Sequence, residues 1–72
     1  MVEIFKTDVR TRIKSKKIIT MLNEIFPSYK INFDLDDCDK ILRIESHNGS
    51  IDIESILKIV RSSSVEIDFI PD

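Results

Sequence analysis

The stretch YKINFDLDDCDKILRIES, Tyr29 to Ser46, decides the fold. Tyr29, Ile31, Phe33 and Leu35 alternate with Lys30, Asn32 and Asp34, the pattern of a strand with one buried face. Asp36-Asp37-Cys38-Asp39-Lys40 makes a polar turn. Ile41 to Ser46 then gives a second strand, with Leu42 and Ile44 pointing inward. Two strands joined by so short a turn run antiparallel, so the middle of the chain is a hairpin.

On both sides of the hairpin the apolar period changes from two to that of a helix. Upstream, Ile18, Leu22 and Ile25 form a stripe with Ile19 and Phe26 beside it, which predicts a helix from about Thr11 that Pro27 stops. Downstream, His47 to Ser50 reads as a loop. A second helix follows from Ile51 or Ile53, capped by Ser50 or Asp52, with Ile53, Ile56, Leu57 and Val60 buried and Ser62 to Ser64 ending it. The outermost segments are strands: Val2 to Thr7, and Val65, Ile67 and Phe69 alternating with Glu66 and Asp68 before Pro71.

The order β-α-β-β-α-β, with right-handed crossovers, is a split β-α-β. It predicts an α+β ferredoxin-like βαββαβ sandwich over residues 1–72 as a single domain: a four-stranded antiparallel sheet with two helices on one face. The first strand has apolar residues on both faces. Val2 and Ile4 outnumber Phe5, so Phe5 is expected on the open sheet face among Lys30, Asn32, Arg43, Glu45, Glu66 and Asp68.

Composition narrows the function classes. With 42% hydrophobic and 33% charged residues, one Gly and two Pro, the 72-residue chain suits a small compact fold, not a disordered segment. A lone cysteine, Cys38, excludes a disulfide within the chain and points to a reducing compartment. The beginning, MVEIFKTDVR, carries acids and no long apolar run, so neither a signal peptide nor a membrane span is expected and the location inferred is cytoplasmic.

The net charge of −2 conceals two blocks. Residues 1–30 hold seven bases against three acids, a balance of +4, and residues 31–72 hold four against ten, a balance of −6. The bases cluster in VRTRIKSKKI, Val9 to Ile18, at a helix start where the dipole favours acids. Reversal of direction at each element puts this loop at one end with the acidic hairpin and Ser62 to Ser64. There the hairpin is expected to screen the cations. Arg10, Thr11, Arg12, Lys14, Lys16 and Lys17 form a candidate interaction loop for an acidic partner. The absence of glycine argues against a phosphate cradle.

Within that loop the frame Val9-x-Thr11-x-x-Lys14-x-x-x-Ile18-x-x-x-Leu22 resembles the M-x-C-x-x-C-x-x-x-I-x-x-x-L loop of the heavy-metal-associated domain family, the copper chaperones and metal-binding modules of copper and zinc pumps. INFDLDDCDKILRI takes the place of that family's strand–turn–strand, and IDIESILKIV that of its second helix. The resemblance implies the same ferredoxin-like fold. It does not carry over a metal site, because Thr11 offers a hard hydroxyl and Lys14 an ammonium where the family has soft thiolates. Cys38 and His47 are placed at opposite ends, and the aspartates of the hairpin lack the spacing of a calcium loop.

Taken together, the sequence predicts a non-enzymatic module without metal or other cofactor that binds a protein partner or a second copy. One form is an isologous dimer of basic loop against acidic hairpin. The alternative is a copper or zinc carrier with other ligands. An acylphosphatase-like enzyme would use Arg10 or Arg12 but lacks the glycine-rich cradle, and no Ser/His/Asp or Cys/His arrangement is present. An RNA-binding sheet would need stacked aromatics where Arg43 and Glu45 are expected, and an amino-acid-sensing ACT-type site would need a glycine in its loop.

Overall fold

A computed structural model describes residues 1–47 and 49–71; Asn48, read above as part of a loop, and Asp72 lie outside the described residues. The elements are β1 (Val2–Thr7), α1 (Arg12–Ile25), β2 (Lys30–Asp34), β3 (Ile41–Glu45), α2 (Ile53–Arg61) and β4 (Ile67–Ile70). The strands form one antiparallel sheet in the order β2-β3-β1-β4, the ferredoxin-like α+β arrangement. α1 packs on β2 and α2 on β4, and the two helices touch.

α1 starts where Thr11, in extended conformation (φ −118°, ψ 151°), accepts a hydrogen bond from Lys14 N at 3.2 Å through its hydroxyl. It stops because a residue before proline is driven from helical angles, and Phe26 lies at φ −125° and ψ 70°. Freed from the helix, Phe26 stacks on Tyr29 with ring centroids 4.9 Å apart. This displaces the expected stripe: Ile25 is 50% exposed, and the buried residues of α1 are Ser15, Ile18 and Leu22. Ser15 is tolerated there because its hydroxyl donates to Arg12 O at 2.9 Å.

α2 follows the dipole rule that α1 inverts. It carries Glu54 in its first turn and Lys58 and Arg61 in its last, whereas the first turn of α1 holds no acid. Asp52 is the cap, accepting from Ser55 N at 3.2 Å and from the Ser55 hydroxyl at 2.7 Å. These bonds hold its carboxyl below the ordinary 3.8. In that range the unfolded chain takes up a proton more readily than the folded one, so the stabilisation is full above about 3.8 and fades as pH falls through the lowered value. Thermal melts taken from neutral pH down through the carboxylate range are expected to show a shallower acid loss for Asp52→Asn than for the parent chain.

The core settles the orientation of β1. Phe5 is fully buried, opposite Leu42 on one side and Phe69 on the other, with its ring 5.5 Å from that of Phe69. The expectation that Phe5 stands on the open face is therefore corrected: Val2, Ile4 and Lys6 face outward, and Val2 is 39% exposed. Counting apolar residues misled because Thr7, on the face of Phe5, is also buried. Its hydroxyl donates to Lys40 O at 2.6 Å, which removes the cost of burying it. Leu42, Ile44, Ile31 and Ile67 complete the sheet side of the core, while Ile18, Leu22, Ile56 and Val60 supply the helix side.

β4 starts later than the alternation suggests. Glu66 is held to the β1–α1 loop instead, its N–H donating to Asp8 Oδ1 at 3.0 Å and its carbonyl accepting from Asp8 N at 3.2 Å. Val65 is nevertheless buried. No helix among the described residues is long and apolar enough to cross a membrane.

Candidate functional site

The β1–α1 loop, the β2–β3 hairpin and the α2–β4 loop meet at one end, as the topology predicts. Thr7 N donates to Asp39 O at 3.2 Å, Lys6 Nζ lies 3.6 Å from Asp39 Oδ1, and the Asp8–Glu66 bonds tie in the third loop. At the far end the Tyr29 hydroxyl accepts from Asp52 N at 3.0 Å, joining the α1–β2 turn to the start of α2.

Within the basic loop, each residue of the frame has a definite task. Val9, Ile18 and Leu22 are all at most 2% exposed, so the apolar positions anchor the loop and α1 in the core. Thr11 caps α1. Lys14 reaches across to the end of α2, its Nζ donating to Ser63 O at 2.7 Å, and so satisfies a carbonyl just past that helix. The positions that hold thiolates in the resembling family thus do structural work here. Neither role is among those expected for Thr11 and Lys14 from the resemblance, which bears on them only as metal-ligand positions. Threonine directly before a helical stripe was a readable cap signal, whereas the Lys14 contact is tertiary.

Arg10, Arg12, Lys16 and Lys17 are exposed. The ion pairs among the described residues are Lys6–Asp39, Lys30–Glu45 and Arg43–Glu45, so these four bases are in none of them. The expected screening by the hairpin therefore does not take the form of ion pairs among the described residues. Arg12 and Lys16 line an open groove of about 400 Å³ together with Asp34 and Asp36 and with the apolar Ile19, Phe33 and Leu35.

The acidic hairpin is a self-bonded turn. Asp34 Oδ1 accepts from Asp36 N at 3.2 Å, Asp37 Oδ1 accepts from Asp39 N at 2.8 Å, and Lys40, at φ 48°, closes the turn with its N–H on Asp37 O. Candidate ligand atoms of Asp37, Cys38 and Asp39 lie within 4.8 Å of one another. Two of these side chains already have partners, Asp37 on the backbone and Asp39 near Lys6, and Cys38 is exposed. His47 lies after β3 at the opposite end of the sheet from the hairpin, outside this group.

No protein-family model matches the chain, and no curated protein matches it.

Proposed function

We propose that the chain is a non-enzymatic relative of the heavy-metal-associated domains whose metal loop has become a protein-binding surface for an acidic segment. The observation that supports this reading is the fate of the frame. Its apolar positions are buried as a retained anchor requires, its Thr11 and Lys14 positions serve the helix ends, and Arg10, Arg12, Lys16 and Lys17 stand exposed outside the ion pairs. Exposed cations in a cluster attract a negatively charged partner while costing little in its absence.

Nuclear magnetic resonance titration tests the proposal. An acidic peptide rich in glutamate is expected to shift backbone signals of residues 10–17, with the shifts removed by high salt. Replacing Arg10, Arg12, Lys16 and Lys17 together by glutamate is expected to abolish them. Copper(I) and zinc(II), added against a chelating buffer, are expected not to be retained. Peptide shifts elsewhere on the surface, or metal held at Asp37, Cys38 and Asp39, would reject the reading in favour of another surface or a metal carrier.

A further inference from the structure

β2 is an outer strand of the sheet, bonded on one side only to β3. The direction of its free backbone groups follows from the ladder. Ser46 N donates to Met1 O at 2.8 Å in the β1–β3 register, so even-numbered residues of β3 turn their N–H and C=O toward β1 and odd-numbered ones toward β2. Glu45, Arg43 and Ile41 lie opposite Lys30, Asn32 and Asp34, which therefore answer them. Ile31 and Phe33 direct their N–H and C=O outward.

We propose that β2 pairs antiparallel with β2 of a second copy of this chain, about a two-fold axis through Asn32. The five residues Lys30-Ile31-Asn32-Phe33-Asp34 match themselves when reversed. Ile31 of one copy meets Phe33 of the other, and these are the residues whose backbone groups point out, so each such pair exchanges two hydrogen bonds. On the open face Asn32 meets Asn32, and Lys30 meets Asp34 at both ends. Opposite charges directly across an antiparallel pair are favourable where like charges are not. Lys30 lies 4.0 Å from Glu45, and Glu45 is also held by Arg43 at 2.8 Å, so Lys30 can turn to a new acid without leaving Glu45 bare. Half-buried Ile19, Phe33 and Leu35, in the groove along this edge, add apolar surface for the copy to cover.

The other outer strand, β4, lacks this self-match. The same alternation turns Ile67 and Phe69 outward. An axis through Asp68 would set two carboxylates against each other, and one through Phe69 would set Ile67 against Pro71, which has no N–H to give. A lysine on an edge strand usually discourages pairing, yet here the residue it meets is an acid.

The dimer is built on the sheet edge and the loop-end proposal on the exposed cations; Arg12 and Lys16, which line the groove at this edge, are common to both. Sedimentation velocity of the parent chain and of Lys30→Asp, Asp34→Lys and the double variant tests it, with circular dichroism to verify folding of these exposed-site variants. The parent is expected to dimerise. Each single variant places like charges at both ends of the pair and is expected to weaken the dimer about 10-fold or more, while the double variant restores it. An equimolar mixture of the two single variants is expected to associate more tightly than either alone. Arg10→Glu with Lys17→Glu, loop cations outside the groove lining, is expected to leave the dimer unchanged. A parent chain monomeric at roughly millimolar concentration, or a dimer that responds to the loop variants and ignores the strand charges, would overturn the proposal.

Discussion

Phe5→Ala is expected to remove about half of the folding stability of the chain. Phe5 has no exposed surface, pairs with Leu42 and Phe69 across both neighbouring strands, and lies in the middle of the central strand β1. Truncating a buried phenylalanine costs about 3–5 kcal/mol, the lost transfer energy plus the cavity that remains. Domains of this size have total stabilities of roughly 4–10 kcal/mol, so one side chain accounts for much of the margin. Urea denaturation followed by circular dichroism measures it. Ile4→Ala, on the opposite face of the same strand, is expected to cost far less because Ile4 is only partly covered. Equal losses at the two positions would mean that the sheet is covered on both faces.

Placing thiols in the β1–α1 loop is expected to have the largest chemical effect. Thr11→Cys with Lys14→Cys should give a chain that binds copper(I) stoichiometrically against a chelating buffer, where the parent is expected to retain none. Thr11 and Lys14 are the cap and third position of α1, and the hydroxyl of the first already takes the N–H of the second at 3.2 Å. Side chains at these two positions are neighbours at the helix start. Thiols there would have their thiolate forms favoured by the helix N-terminus, and thiolates suit a soft monovalent ion. The substitution has a structural cost. It removes the Thr11 cap, about 1 kcal/mol, and the Lys14 bond to Ser63 O, roughly another 1 kcal/mol, so the metal-free variant should melt below the parent and recover on loading. Titration with copper(I) against a competing chelator, together with melts of both forms, checks this. Failure to retain copper would remove the support that the loop frame gives to the proposed kinship.

Much of the architecture was legible because its signals are local. The switch of apolar period around Tyr29 to Ser46, the stop at Pro27 and the Asp52 cap each sit within a few residues of the structure they cause. The orientation of β1 was not legible, because Val2-Glu3-Ile4-Phe5 is apolar on both faces and only the neighbours Leu42 and Phe69, distant in sequence, decide between them. Ile25 was misplaced for a related reason: the helix ends beneath it, and Phe26, bent back by Pro27, takes up the position over Tyr29. At the loop end, the meeting of the three loops followed from topology alone. The bond from Lys14 to Ser63 did not, since it spans 49 residues and nothing near Lys14 announces it.

The two borders of the sheet differ, and that difference limits how far copies of this chain can add to one another. A pair joined through β2 spends that border in both molecules, and what faces outward is β4 twice, with Asp68 and Pro71 on each rim. In such a pair, further growth by the same means would meet repulsion or a missing donor, so the proposed pairing would stop at two copies.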